Sequence, residues 1–192
     1  MTTIPTPAYL SLGTNLGDRL TNLTRAVRAL TDAVGIALVN VSPVYETAPL
    51  GPGDIVVATQ PAHLNCAVLI ETTLSARALL AETQRIERAI GRREHGRWES
   101  RVIDIDIVLF GDEHIATAEL TVPHPSMFTR AFVLRPLVDL DADLSVEGVG
   151  RLEQLLPALG WQRCELYADR ITIRAPVGDP ARRGPSPPAV PW

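Results

Sequence analysis

The sequence has 192 residues, a length that suits one domain with a short tail. Hydrophobic residues make up 46% of it, enough for a core, and the formal net charge of −4 argues against a general nucleic-acid binder, because no positive field would attract a polyanion. The two cysteines, Cys66 and Cys164, are too few for a disulfide framework. The sequence contains neither a secretory signal nor an apolar run of the roughly 20 residues that a membrane span needs, so we expect a cytoplasmic protein that binds no membrane.

The first 110 residues alternate strand and helix patterns. Residues 8–12 predict a strand, and the apolar stripe from Leu20 to Val34 predicts a helix that Gly35 ends. Further along, the pattern predicts a strand, a strand, a helix and a strand over 36–45, 64–72, 75–90 and 102–110. The order β-α-β-β-α-β is typical of ferredoxin-like α+β folds, in which one antiparallel sheet has helices packed on one face.

The rest of the chain predicts additions to this unit. Residues 113–122 indicate a short strand pair, and Pro123-His-Pro125 indicates a turn. Helical patterns then recur over 126–140 and 151–159. The segment Pro176–Trp192 holds six of the sixteen prolines, so we divide the chain into one domain, 8–170, and a Pro-rich tail, 171–192, that we expect to be disordered.

The strand predicted over 102–110 carries two acids. Because alternate side chains of a strand share a face, Asp104 and Asp106 point the same way. The opposite face then receives Ile103, Ile105, Ile107 and Leu109. Two carboxylates about 6–7 Å apart at Cα repel each other, and a divalent cation relieves that repulsion. Oxygen ligands suit Mg²⁺, which takes further ligands from water and substrate phosphates. The pair predicts a magnesium site for nucleotide chemistry; the alternative is two solvent-facing acids.

The segment directly upstream of these acids, 91–101, is rich in arginine. It contains Arg92, Arg93, Arg97 and Arg101, with Trp98 among them. The planar guanidinium suits phosphate oxygens, so cations beside a metal-binding carboxylate pair favour a phosphoryl-type transfer. The alternative is a solvated charged loop. The histidines and cysteines show no zinc-ligand spacing.

Other polar and aromatic residues are candidates for the same site, each with a structural alternative. They are Gln84, Glu87, Asn65, His124, Arg130 and Phe132. The first two lie one turn apart on a helix, where the alternative is a solvated face. The asparagine amide can read the edge of a heterocycle or simply cap a strand. The last three follow the Pro-His-Pro turn and could supply a phosphate or ribose pocket with a ring for stacking, although a histidine between prolines more often only fixes the turn.

A series of short motifs follows in order over roughly residues 8–158. They are Ser11-Leu-Gly13-Thr-Asn15-Leu-Gly17, Tyr45-Glu-Thr47-Ala-Pro49-Leu-Gly51, Leu64-Asn65-Cys-Ala-Val68, Gln84-Arg-Ile-Glu87, Gly91-Arg92, Arg97-Trp98, Arg101-Val-Ile-Asp104-Ile-Asp106, Leu120-Thr-Val-Pro-His124, Arg130-Ala-Phe132 and Leu134-Arg-Pro136-Leu137. Together they resemble the 6-hydroxymethyl-7,8-dihydropterin pyrophosphokinase family of folate biosynthesis. The resemblance implies a ferredoxin-like fold and transfer of pyrophosphate from ATP to the pterin's hydroxymethyl oxygen, with release of AMP.

The resemblance also implies roles for individual residues. Asp104 and Asp106 hold two Mg²⁺ ions that bridge the triphosphate, and Arg92 and Arg101 contact phosphates as the loop closes. The ATP side is formed by Gln84, Glu87, Ile107, His124 and Arg130, with Trp98 in the closing loop. The pterin side is formed by Thr47, Leu50, Asn65 and Phe132, with His63 where the family usually has an aromatic ring. The implied partners are ATP and a dihydropterin, and we expect a monomer that binds no nucleic acid.

Two other hypotheses remain at this point. One is a nucleotide- or pterin-binding homologue that no longer catalyses; Glu94 motivates it, because the family usually has an arginine there and an acid should repel the triphosphate. The other is a ferredoxin-like RNA-binding module, which needs exposed aromatic residues on central strands and a basic sheet face. Aromatic residues make up only 5% of the sequence and the strands carry acids instead, which argues against that module.

Overall fold

The computed structural model describes residues 4–51, 53, 55–57, 59–93, 100–168 and 171. In these ranges the elements are β1 (Thr6–Thr14), α1 (Arg19–Asp32), β2 (Ile36–Val41), β3 (Val44–Thr47), β4 (His63–Thr72), α2 (Ala76–Ile90), β5 (Asp104–Phe110), β6 (Ile115–Ala116), β7 (Thr121–Val122), α3 (Ala131–Leu140), β8 (Ser145–Val146), β9 (Gly150–Arg151) and β10 (Cys164–Ala168), with 3₁₀ helices at Met127–Thr129 and Leu152–Leu159. None of the helices in this part of the chain is both long and apolar enough to cross a membrane.

The main sheet is antiparallel and has the order β10-β3-β4-β1-β5, with β2 also paired to β4. Strand β1 lies between β4 and β5, so Gly13 pairs with Asn65 on one side and with Asp104 on the other. Helices α1 and α2 connect the strands in the order β-α-β-β-β-α-β, which is the predicted order with its second strand divided into β2 and β3. The ferredoxin-like α+β prediction is therefore confirmed.

One face of the sheet packs against α1 and α2. Asp18 and Ser75 cap the two helices, because the side chain of each accepts a hydrogen bond from the backbone N–H three residues further on. The buried stripes of both helices meet the sheet in one core that includes Leu23, Val27, Leu30, Leu79, Ile86, Leu10, Leu12 and Ile105. The prediction that Val34 continues this stripe is wrong: α1 ends at Asp32 and the extended backbone of Ala33 leaves Val34 93% exposed.

The other face of the sheet carries a second core. There Val133, Leu134 and Leu137 of α3 pack against Ala67 and Val108. The expectation that helices cover one face therefore holds for α1 and α2 only. The C-terminal additions cover part of the opposite face. Helix α3 follows the Pro-His-Pro turn and buries its apolar stripe against the sheet there.

Strand β5 contains a bulge that changes which side chains share a face. Its pairing with β1 shifts register after Ile107, since Leu10 pairs with Ile107 while Tyr9 pairs with Leu109. The extra residue, Val108, reverses the alternation. The prediction that Leu109 lies on the same face as Ile107 is therefore wrong, and Leu109 packs in the second core.

The strand predicted over 36–45 is two strands separated by Ser42 and Pro43. Proline has no N–H to donate to a ladder. The Ser42 hydroxyl instead accepts the N–H of Ala67 at 2.8 Å, so the buried amide stays paired. Three short strands, β8, β9 and β10, were not predicted from the sequence.

The predicted tail begins at a residue that is part of the fold. Ile171 is 7% exposed and packs in the first core. The remainder of the segment 171–192 lies outside the described residues.

We expect Leu134→Ala to lower the free energy of unfolding by about 2–5 kcal/mol, because Leu134 is fully buried between α3 and the sheet. Val34→Ala is the matched control and should change it by less than about 0.5 kcal/mol, since Val34 is exposed. Urea denaturation measures both. Equal losses in the two variants would contradict the assignment of the second core.

Candidate active site

A cavity of about 350 Å³ opens beside the second core, on the sheet face that α1 and α2 leave free. It is lined by Ser11, Gly13, Thr14, Thr47, Ala48, Leu50, Gln60, His63, Asn65, Arg101, Asp104, Asp106, His124, Pro125, Ser126, Arg130 and Phe132. Strands β1, β3, β4 and β5 and the N-terminal end of α3 all contribute to its wall. The cavity therefore joins segments that are far apart in sequence.

The acidic side of the cavity is organised around Asp104. Its Oδ1 accepts a hydrogen bond from Arg92 at 2.6 Å, and its Oδ2 accepts one from Arg101 at 2.6 Å. Arg92 is also bonded to Glu87, whose Oε1 accepts the backbone N–H of Ile105 at 2.7 Å. These contacts fix two guanidinium groups beside the strand that carries the acids.

Glu87 lies behind this cluster and is only 4% exposed. Burial raises its pKa, while the charge of Arg92 and the hydrogen bond from Ile105 oppose that rise. Through its bonds to Arg92 and to the backbone N–H of Ile105, Glu87 anchors Arg92 and the start of β5.

Asp106 faces the cavity with no hydrogen-bond partner among the described residues. The Asp106 side chain is exposed towards the cavity. The protein around the carboxylate keeps part of the solvent away and raises the pKa of Asp106; the charges of Asp104 and Glu87 raise it further, while those of Arg101 and Arg92 oppose the rise. The site thus holds an uncompensated carboxylate that a cation would stabilise.

The donor set of the pair fits magnesium. In the described part of the chain, no group of three or more histidine, cysteine, aspartate or glutamate side chains could hold a metal ion. Asp104 and Asp106 supply carboxylate oxygens only, on one face of β5. Mg²⁺ is commonly held by one or two carboxylates and completes its shell with water and phosphate oxygens.

The opposite side of the cavity presents an amide and flat rings. Asn65 is 3% exposed, and its Nδ2 donates to Thr47 Oγ1 at 2.8 Å. The guanidinium of Arg130 lies 5.6 Å from the centre of the Phe132 ring. Burial lowers the pKa of His63 to about 4, so the imidazole is neutral near pH 7.

His124 lies between the two sides. Its backbone N–H donates to the carbonyl of Val108 at 3.0 Å, and its ring Nδ1 accepts the backbone N–H of Ser126 at 3.3 Å. Burial lowers the pKa of His124, and the charge of Arg130 lowers it further. His124 both fixes the turn and lines the cavity, so the two sequence interpretations of this residue are compatible.

Most residues singled out from the sequence meet in this cavity. They are Thr47, Leu50, His63, Asn65, Arg101, Asp104, Asp106, His124, Arg130 and Phe132. Arg92 and Glu87 lie behind Asp104, whereas Gln84 is exposed on α2 and Ile107 is 2% exposed in the first core. Trp98 and Glu94 lie outside the described residues.

Gly13 and Ser11 also form the site, although the sequence predicted no role in it for either residue. Gly13 lies between Asn65 and Asp104 in the sheet, so the Cα atoms of Asn65 and Asp104 are about 10 Å apart. A Cβ at Gly13 would lie 2.9 Å from Asn65 Oδ1, so any other residue there would have to displace the Asn65 amide. Ser11 pairs with Asp106 and also lines the cavity. Ser11 and Gly13 stand two positions apart within one motif, and this spacing was the sequence signal that they share a face of the strand.

Comparison with known proteins identifies the family. Residues 9–142 match the family described as 7,8-dihydro-6-hydroxymethylpterin-pyrophosphokinase, or HPPK. The chain belongs to the HPPK family. It is 45% identical over 133 residues to a 2-amino-4-hydroxy-6-hydroxymethyldihydropteridine pyrophosphokinase of Bacillus subtilis, covering 69% of this chain and 77% of the relative. It is 38% identical over 157 residues to the Pseudomonas aeruginosa protein of the same name, covering 82% and 94%.

Solved HPPK-DHPS structures share the fold. A crystal structure of HPPK-DHPS in complex with substrates aligns with a TM-score of 0.65 and 14% identity, over 81% of this chain and 43% of that chain. Wild-type Plasmodium falciparum HPPK-DHPS with pteroate also gives a TM-score of 0.65, with 14% identity over 82% and 45%. The chain therefore spans less than half the length of these HPPK-DHPS chains, and the likeness concerns the fold.

We expect the stability of this HPPK family member to fall as pH decreases from 6.5 towards 4, in part through His63. In that window the unfolded histidine binds a proton and the folded one does not, so acid favours unfolding. His63→Gln removes this contribution, which between pH 6.5 and 5 is at most about 2 kcal/mol. Urea denaturation of both proteins at pH 7 and pH 5 measures it. The variant should lose less stability than the wild type, and an equal or larger loss would contradict a neutral His63.

Proposed function

We propose that this protein transfers the pyrophosphoryl group of ATP to the hydroxymethyl oxygen of 6-hydroxymethyl-7,8-dihydropterin, releasing AMP, in folate biosynthesis. The observation that carries the proposal is the pair Asp104 and Asp106 in the wall of a cavity, with Arg92 and Arg101 bonded to the first of them. Membership of the HPPK family supports the same reaction. ATP is the co-substrate, and two Mg²⁺ ions are the cofactor that we assign to the carboxylate pair.

The phosphate side of the reaction belongs to the carboxylates and arginines. When bound, magnesium neutralises charge on the phosphate oxygens around the displaced bond. Asp104 and Asp106 would hold it, and the guanidinium groups of Arg92 and Arg101 are close enough to exchange their bonds to Asp104 for bonds to phosphate. In this assignment His124 and Arg130 contact the nucleotide from the α3 side.

The pterin side belongs to the amide end of the cavity. Asn65 is held by Thr47, which leaves its remaining amide atoms to recognise the edge of a pyrimidine-like ring. Phe132 and the neutral His63 offer flat faces for the ring, and Leu50 adds an apolar contact. The separation of about 10 Å between Asn65 and Asp104 across Gly13 suits an acceptor whose heterocycle is recognised at one end and whose hydroxyl reacts at the other.

The carboxylate pair, Arg101 and Asn65 line one continuous cavity. We therefore propose that the monomer is competent for the reaction. Sedimentation analysis at the assay concentration tests this directly: activity confined to a dimer fraction would overturn it.

Formation of AMP from ATP and 6-hydroxymethyl-7,8-dihydropterin tests the function. Pterin-dependent AMP release at a rate proportional to enzyme is the expected result. The catalytically impaired homologue, motivated by Glu94, predicts nucleotide binding without AMP. That outcome at high enzyme concentration would reject the transferase assignment.

We expect Asp106→Asn to lower turnover by at least about a hundredfold, because a neutral amide is a poor magnesium ligand and even loss of a ligand's hydrogen-bond partner costs about 10- to 100-fold. The same change should not lower the melting temperature, since it removes the repulsion between Asp106 and Asp104. Asp112→Asn, on the exposed turn after β5, is the control and should retain wild-type turnover. Near-normal kcat in Asp106→Asn would refute the metal assignment.

We expect Gly13→Ala to raise KM for the pterin about tenfold, with KM for ATP changed less than twofold. The new Cβ would meet Asn65 Oδ1 at 2.9 Å and displace the amide from Thr47. Gly160→Ala is the matched control, because a Cβ there meets its nearest atom at 3.5 Å and the backbone is already helical. Steady-state kinetics with each substrate varied in turn measures both. An unchanged pterin KM would place the pterin elsewhere.

A further inference from the structure

Asn15 lies outside the cavity, directly after β1, and is only 3% exposed. Its backbone N–H donates to the carbonyl of Arg101 at 3.1 Å, and its Oδ1 accepts the N–H of Arg101 at 2.7 Å. A residue in an antiparallel strand makes two such bonds with its partner, through its own backbone N–H and C=O. In Asn15 the side-chain carbonyl takes the place of the backbone C=O. The pairing of β1 with β5 is extended in this way from Asp104 to Arg101.

The Nδ2 group of the same amide contacts Ser100, next to Arg101, and one further segment at Pro61. Nδ2 donates to Ser100 Oγ at 3.0 Å and makes a longer contact of 3.5 Å with the carbonyl of Pro61. Pro61 lies two residues before His63, at the entry to β4, and Ser100 precedes Arg101. One buried amide therefore ties the end of β1 to the start of the pterin-side strand and to the arginine on the phosphate side.

We propose that Asn15 is a positioning residue that acts on the reaction through Arg101. The guanidinium of Arg101 reaches Asp104 at 2.6 Å from a backbone that lies outside the helices and strands, so its reach depends on where that backbone is held. Asn15 bonds to both the backbone N–H and the backbone C=O of Arg101. Because a displacement of about 1 Å can cost about a hundredfold in rate, loss of this anchor lowers kcat without removing any group that contacts substrate.

This inference rests on the proposed function, and its test separates the two. Wild-type AMP release is measured first and decides the function by itself. Asn15→Ala is then expected to lower kcat about 10- to 100-fold, with KM for ATP changed by less than about threefold. Thr72→Val is the control: Thr72 is 1% exposed and its hydroxyl makes two backbone hydrogen bonds, but at the far end of β4. It should lower the melting temperature and leave kcat unchanged.

A double-mutant cycle distinguishes positioning from general destabilisation. If Asn15 acts through Arg101, then Asn15→Ala combined with Arg101→Ala should be no slower than Arg101→Ala alone, within about twofold. If the two losses multiply, Asn15 does not act through Arg101 and the proposal is overturned. Rates are normalised to the folded fraction of each variant.

Hydrogen exchange gives a readout that does not depend on activity. In Asn15→Ala the amides of residues 100–104 should exchange at least about tenfold faster, while those of β4 stay protected; Thr72→Val should not change residues 100–104. If Asn15→Ala does not fold, Asn15→Asp is measured in its place, because it keeps the acceptor for the Arg101 N–H and loses only the Nδ2 donor. That variant should keep the Arg101 amide protected. Unchanged exchange at residues 100–104 in Asn15→Ala, or a fast Arg101 amide in Asn15→Asp, would overturn the proposal.

Discussion

Two carboxylates held on one face of β5 repel each other, and the chain around them is arranged to offset that repulsion in part. Asp104 is neutralised by Arg92 and Arg101, and Glu87 behind it is anchored by Arg92 and a backbone amide. Asp106 is left without a partner in the described residues, in an environment that raises its pKa. A fold optimised for stability alone would not keep this arrangement. The remaining negative charge is the reason that we assign a divalent cation to this pair.

The position of β1 between β4 and β5 joins this charged cluster to the rest of the site. Gly13 pairs with Asn65 and Asp104 at once, so the amide that we assign to the ring and the carboxylate that we assign to the metal lie on strands whose separation is set by strand spacing. The absence of a side chain at Gly13 leaves room for the Asn65 amide. Rigid strands therefore set the distance between the two sides of the reaction, while the loops supply the cations.

The C-terminal additions complete the cavity wall. The second core seats α3 on the sheet face that α1 and α2 leave open, and this places Arg130 and Phe132 opposite the strand ends. Tyr9 and Tyr45 on the sheet reinforce that seating, because each donates to an aspartate near the end of α3, Asp141 and Asp139. The apolar packing of α3 thus serves the site as well as stability.

The sequence by itself determined the alternation of strands and helices, the common face of Asp104 and Asp106, and the ordered motifs that belong to the HPPK family. These depend on local periodicity and on residue types at fixed spacing, which a linear sequence records directly. The sequence could not reveal the bulge at Val108 that moves Leu109 to the second core, because the bulge depends on pairing with β1. The break at Ser42 and Pro43 had a local signal in the proline, which cannot donate to a ladder, but the bond from Ala67 to Ser42 that completes the break depends on another strand. Only the tertiary structure decided that Glu87 lies behind Asp104, that Ile107 is buried in the first core while Gln84 is exposed on α2, and that Asn15 holds Arg101. Those roles arise from contacts between residues up to 86 positions apart, which no local pattern encodes.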